Sequence, residues 1–156
     1  MSEATARAAI DTVVSGVTNI GKAYSYERFV NDWSDYLDLF KVTISSVAQI
    51  RGSTVGYDGQ AAEINAVGSV IRTHRFIVRS RLRLQDSSAS EKTASALCEA
   101  ICDALDAASS LHDGTTYVKT SAASIGVFEH RLYGSVLCHY SEINLEVTEN
   151  TTYATT

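Results

Sequence analysis

SSASEKTASALCEAICDALDAA, residues Ser87–Ala108, is the stretch that decides the fold class. Ser88 and Glu91 stand at the S-x-x-E spacing of a capping box, in which each side chain satisfies a free backbone N–H of a first helical turn. Ala94, Leu97, Cys98, Ile101, Leu105 and Ala108 then recur at three- and four-residue steps. That period puts them on one stripe of a helix. Glu91, Lys92, Ser95, Glu99, Asp103 and Asp106 fill most of the other side. Such a helix must bury its stripe, most simply against a sheet.

Strand patterns flank it on both sides. In His74–Gln85 (HRFIVRSRLRLQ), Phe76, Val78, Ser80, Leu82 and Leu84 share one face. Arg75, Ile77, Arg79, Arg81 and Arg83 share the other. After the helix, Phe128–Tyr133 and Ser135–Val147 read as one long strand or two, with Gly134 a possible bulge. The expectation is an α+β domain: a small mixed or antiparallel sheet with helices on one face.

The remaining segments fill in around this unit. Met1–Val17 reads as a first helix with Ile10, Val13, Val14 and Val17 as its stripe, ending near Gly16 or Gly21. Ala23–Phe29 reads as a short strand, Val30–Asp38 as a turn, and Leu37–Val47 as a second strand whose core face carries Phe40, Val42, Ile44 and Ser46. Ala48–Thr73 has four glycines, Gly52, Gly56, Gly59 and Gly68, and no clear period. It is expected to be a long excursion, with a short helix in Ala61–Val70. A turn is expected at Asp113-Gly114, a short strand or arm over Tyr117–Ser124, and a loose tail over Asn150–Thr156.

Composition narrows the class. At 156 residues, 45% hydrophobic and 20% charged, the chain has the balance of a single globular domain that needs no staples. A net charge of −5 argues against bulk affinity for nucleic acid. The three cysteines, Cys98, Cys102 and Cys138, are too few and uneven for a disulfide framework and fit a reducing cytosol. The N-terminus, with Glu3 and Asp11, does not read as a signal peptide, and no apolar run is long enough to span a membrane.

Five groupings carry possible chemistry. The arginine row suggests contact with phosphate or an acidic neighbour, against the plainer expectation of pairing with Glu142 and Glu146 across the sheet. Cys98, Cys102, Cys138 and His139 are soft ligands, but their spacing fits no common zinc module, and adjacent strand residues point to opposite faces. A Cys138 nucleophile with His74, His130 or His139 as base has no orienting group in sight. Gly52–Gly59 (GSTVGYDG) lacks the order of a phosphate loop. Trp33, Tyr24, Tyr26 and Tyr36 cluster near the first hairpin and read as core or protein interface.

Two stretches carry a family resemblance. His74–Leu105, containing RSRLRLQDSSASEKTASALCEAICDAL, resembles a strand running into a Ser/Glu-capped helix. Glu129–Val147, EHRLYGSVLCHYSEINLEV, contains H-R-x-x-G-x-x-L-C-H. Both are similar to the tail terminator proteins of long-tailed bacteriophages. The resemblance implies a small α+β fold and a homo-oligomeric, hexameric ring in the virion, formed in the host cytoplasm. It implies partners in the tail tube protein, a head-side connector or stopper protein and, in a contractile tail, the sheath. It implies no enzyme, no cofactor and no specific nucleic-acid binding, although DNA passes through the ring lumen. Interface residues are expected at Arg51, Gly52, Gly56, Tyr57 and Gly59 of the excursion and at Arg75, Arg79, Arg81 and Arg83 of the row. Competing readings are another neck component, a small cytosolic enzyme using Cys138, and a nucleic-acid module using the arginines.

Overall fold

Alternation along His74–Gln85 demands a sheet with two different faces, and that sheet is present. A computed structural model describes residues 3–66, 68–112, 117–119 and 121–153. Its helices are α1 (Glu3–Ser15), α2 (Trp33–Asp38) and α3 (Ser90–Ala107). Its strands are β1 (Lys22–Tyr24), β2 (Lys41–Ile44), β3 (Val47–Ala66), β4 (Ser69–Arg83), β5 (Tyr117–Lys119), β6 (Ser124–Tyr133) and β7 (Val136–Thr152). The fold is α+β around one mixed sheet.

β4 lies at the centre and pairs antiparallel with β3 on one side and β7 on the other. Beyond β3, β1 pairs parallel with Gly52–Thr54 and β2 pairs antiparallel with Val47–Ile50. Beyond β7, β6 and β5 pair antiparallel with successive parts of its edge.

One face of the sheet carries Val55, Phe76, Val78, Ile143, Leu145 and Val147. Against it pack Ala6, Ile10 and Val14 of α1 and Cys98, Ile101 and Leu105 of α3, all buried. Both helical stripes therefore face the core as their periods require. The other face is covered over part of its area by a second cluster, Tyr36, Leu37, Phe40, Ile50, Tyr133 and Cys138.

Several local expectations are corrected. The start of α3 is not a Ser88/Glu91 box: Ala89 is the N-cap in a left-handed conformation, and Ser88 Oγ donates to Gln85 O instead. Ser90 does the anchoring, accepting from Gln85 N at 2.8 Å and meeting His139 Nε2 at 2.8 Å. The expected strand over Ala23–Phe29 shrinks to Lys22–Tyr24. The expected turn at Val30–Asp38 contains α2, capped by Asp32 accepting from Asp35 N. Leu37–Val47 is a strand only at Lys41–Ile44, because Leu37 ends in α2 and Ser45-Ser46, both at positive φ, form the two-residue turn into β3. Of its expected core face, Phe40 is buried but Ser46 is exposed.

The largest difference is at 48–73. In place of the expected helix, the described residues Ala61–Ala66 lie in β3 and Ser69–Val70 in β4, which make one long antiparallel hairpin with bulges between Tyr57 and Gln60 and between Ile64 and Ala66. Gly134 sits in the turn between β6 and β7, and the bulge of β6 lies between Ile125 and Val127. Asn150–Thr152 belongs to β7 rather than to a loose tail. The Asp113-Gly114 turn and the last residues of the expected tail, 154–156, lie outside the described residues. Among the described residues, no helix is long and apolar enough to cross a membrane.

Candidate functional site

The second face of the sheet holds a cleft built on the arginine row. Alternation sends Arg79 and Arg81 to this face, but Arg81 is not a surface residue: it is 4% exposed. Its guanidinium carbon lies 5.1 Å from the Phe40 ring centre, 5.6 Å from Tyr36 and 5.8 Å from Tyr140. A buried cation needs hydrogen-bonded partners. Arg81 Nη1 donates to Thr54 Oγ1 and to Arg79 O, each at 3.2 Å, and Nη2 lies 3.5 Å from Glu27 Oε2.

Glu27 is the centre of this cluster. Its Oε1 accepts from Arg79 Nη1 at 2.9 Å and from Thr54 Oγ1 at 2.9 Å. Burial works against the Arg79 charge, but the hydrogen bond and charge of Glu27 outweigh it and hold Arg79 above its ordinary pKa. β4 and β7 do place Arg79 opposite Glu142 and Arg75 opposite Glu146, as the expected cross-sheet pairing requires. The carboxylate in salt-bridge contact with Arg79, however, is Glu27, from the segment after β1.

The cleft above this cluster has a volume of about 730 Å³. The 27–33 segment forms one wall, and Arg131, Tyr133 and Tyr140 form the other. Tyr36 and Tyr133 stack with ring centres 5.6 Å apart, and Trp33 meets Tyr133 edge-on at 5.4 Å. Burial pushes the Tyr36 hydroxyl up to about 12, so it stays neutral. Arg131 lies 3.6 Å over the Tyr140 ring. Phe29, 86% exposed, and Trp33, 53% exposed, stand at the lip. The arrangement offers guanidinium donors beside aromatic surface, which suits an acidic and apolar protein segment.

The residues named from sequence fall into distinct places. Arg51 is buried on the helical face, where it donates to Asn19 O at 3.1 Å and to Gln49 Oε1 at 2.6 Å. Gly52 makes room for a close approach: a Cβ there would stand 2.5 Å from both Lys22 O and the Phe40 ring. Gly56 leaves the space that the Arg79 guanidinium fills. Gly59, at φ +95°, lies in the first bulge. Arg75 and Arg83 are exposed at separate positions along β4. Tyr57 leads into a chain in which its hydroxyl meets His74 Nδ1 at 3.1 Å and His74 Nε2 meets Glu149 Oε2 at 2.9 Å. This chain ties β3, β4 and β7 together where the hairpin leaves the core. Sequence reasoning missed Glu27, Arg131, Tyr133 and Tyr140; the carboxylate within AYSYERF was the only available hint, and no spacing links it to β4.

The thiols and histidines are held apart. Cys138 is buried in the second cluster, and burial pushes its thiol up to about 11. His139 faces the helical side against Ser90, so the two neighbours lie on opposite faces. Cys98 donates to Ser141 Oγ at 3.0 Å. Among the described residues, no group of three His, Cys, Asp or Glu side chains is arranged to hold a metal ion. No protein-family model matches the sequence, and a comparison with curated proteins finds no significant match.

Proposed function

We propose that this chain is a structural protein of long-tailed phage virions, the terminator that caps the head-proximal end of the tail tube. In this reading a homo-oligomeric, hexameric ring binds the last ring of tube protein through one face and offers the head-side connector a different face. Growth stops because a further tube ring finds no matching surface. Head-to-tail contacts around a closed ring suit such an assembly. In a contractile tail the sheath is a further neighbour, and DNA passes through the lumen without being read.

The resemblance of His74–Leu105 and Glu129–Val147 to terminators supports the reading, and so does an α+β fold with N-terminal and central helices on one face. One observation carries it. The distal hairpin of β3 and β4 extends beyond the core: residues 60–66 are exposed in succession, on both faces of the strand. A chain of this size that holds out a long uncovered ribbon has the shape of a component completed by its neighbours. The cleft lined by Arg28, Arg131, Tyr133 and the exposed Phe29 and Trp33 is, in this reading, where a segment of a tube or connector protein seats.

Electron microscopy of particles from an infection lacking this gene tests the reading. Tails of uncontrolled length, unattached to filled heads, are the expected result. Tails of normal length that fail to join would move the protein to the head side of the neck. Normal virions would remove the structural reading.

A further inference from the structure

Among the described residues the sheet leaves unpaired strand edges on both sides, and the distal part of β3 and the outer edge of β6 are the longest of them. On the first side β1 and β2 stop at Thr54, and from Asp58 to Ala66 the outer edge of β3 has no strand beside it. On the second side β6 pairs only with β7, so its outer edge is open over Ser124–Leu132. Among the described residues, no backbone hydrogen bond reaches either outer edge. Open edges present rows of unused N–H and C=O groups, and proteins that stay single block them with proline, lysine, bulges or a covering loop. Here the bulges fall at Tyr57–Gln60, Ile64–Ala66 and Ile125–Val127 and leave Gln60–Ile64 and Val127–Leu132 in regular register. The chain has no proline, and neither edge carries a lysine.

We infer that copies of this chain join head to tail by laying the β3 edge of one copy against the β6 edge of the next, as one continued antiparallel sheet.

Direction and face fit this pairing, and a neighbouring Glu63 would share Arg131 with Glu129, which Arg131 already meets at 2.6 Å. β3 runs antiparallel to β4, β4 to β7 and β7 to β6, so β3 and β6 point in opposite senses. A second copy set beside the first in the same orientation therefore brings β6 against β3 antiparallel. Ile64 pairs with Val70 and lies on the helical face of the sheet, as Phe128 and Leu132 do beyond β7. Ile64 is 80% exposed and Leu132 64%, with nothing within one copy to cover them. Glu63 lies on the opposite face, as Glu129 and Arg131 do. Opposite charges across a strand pair favour it, and like charges oppose it. Pairing of two β3 edges would instead bring Asp58 and Glu63 of one copy against the same acids of the other.

The two edges also lie at opposite ends of the sheet. Ala61 aligns through Thr73 with Thr148, whereas Phe128 aligns with Ser141, a stagger of 148 − 141 = 7 residues. At about 3.3 Å per residue this displaces the neighbour by roughly 23 Å along the strands. The contact uses two different surfaces of one chain, so it propagates into a ring or a chain rather than a two-fold dimer. The pairing needs only the two edges. It stands whether or not the protein belongs to a phage tail: an assembling protein whose deletion leaves tails normal would keep the pairing and remove the terminator reading.

The test uses the full chain. Sedimentation across a concentration series reads the association, and circular dichroism confirms the fold of each variant. In a Cys102→Ser background, Glu63→Cys chains mixed with Val127→Cys, Glu129→Cys or Arg131→Cys chains should form an intermolecular disulfide with at least one of the three. Glu63→Arg or Arg131→Glu should weaken association about tenfold, and the double exchange should restore it. A chain that stays monomeric at the highest concentration reached overturns the inference. So does association in which no mixed disulfide forms, or in which Glu63→Cys cross-links only to itself. Both would place the contact elsewhere or assign the open edges to a different protein.

Discussion

Arg79 donates to Glu27 at 2.9 Å, and this pair joins the segment after β1 to the middle of the sheet. The same carboxylate faces Arg81, which is otherwise a buried cation among three aromatic rings. Glu27→Gln keeps the shape and removes the charge. It should lower stability by about 2 kcal/mol, because Arg81 keeps its burial and loses its counter-charge. Denaturant melts would measure this. Limited proteolysis should show earlier cleavage at Arg28 as the segment loosens. An unchanged midpoint would mean that Thr54 and the carbonyl of Arg79 suffice for Arg81.

Gly52 and Gly56 separate two kinds of crowding. A Cβ at Gly52 meets the Lys22 carbonyl and the Phe40 ring, both fixed by the sheet and the second cluster. A Cβ at Gly56 meets the far ends of two flexible side chains, Arg79 Nη1 and, at 3.1 Å, Glu27 Oε1, rather than backbone. Gly52→Ala should cost about 3 kcal/mol and Gly56→Ala about 1 kcal/mol. For a chain of this length each kcal/mol is about 2–4 °C in Tm, so thermal melts resolve the order. Equal losses would contradict the difference in rigidity.

Ser90, not Ser88, anchors the start of α3. Ser90→Ala leaves the Gln85 N–H and His139 Nε2 without their partner inside the fold, a loss of about 2 kcal/mol. Ser88 is exposed and bonds only back to Gln85 O, so Ser88→Ala should cost under about 0.5 kcal/mol. Urea midpoints of the two variants compare them directly.

His139 and Glu149 make stability depend on pH in the same direction, as does Asp106, which the Lys119 ammonium and the Ala123 N–H hold below its ordinary pKa. Burial, and the charge of His130, lower the His139 pKa below 6.5, so the unfolded chain binds protons more readily there. Stability from neutral His139 is complete above 6.5 and is lost as pH falls through the folded value. Burial raises the Glu149 pKa, but hydrogen bonds from His74 and Thr151 outweigh it and bring it below 4.5. That contribution is complete above 4.5 and is lost as pH falls further. Melting temperature should therefore fall in two stages below neutrality. Glu149→Gln should flatten the lower stage alone; a slope unchanged by that substitution would assign the acid limb to other carboxylates.

How much was readable from the chain follows from where burial is one-sided. α3 and α1 each bury one stripe against the sheet, so the 3.6-residue period of Ala94–Leu105 and Ile10–Val14 is written in residue type. β4 and β7 bury alternate residues against the same helices, and Phe76, Val78 and Leu82 announced that face. The distal hairpin left no such mark. Ala61–Ala66 is exposed on both faces, and the glycines around it, Gly52, Gly56, Gly59 and Gly68, imitate a loop although Gly52 and Gly56 are packing positions. Periodicity reports contrast between faces and is silent where both are wet.

By itself, then, the sequence determined the α+β class, the helical face and the strand that divides apolar from cationic side chains. Each of these depends on contacts whose pattern repeats within a few residues. Tertiary structure alone decided that Glu27 reaches Arg79 and Arg81, that Ser90 replaces the expected cap, and that the edges of β3 and β6 stand open. Those facts rest on pairings between residues 49 or 52 positions apart, as in Ser90–His139 and Glu27–Arg79, and on strands that end short of their neighbours. Chain folding, and no local rule of residue spacing, brings such groups within hydrogen-bonding distance.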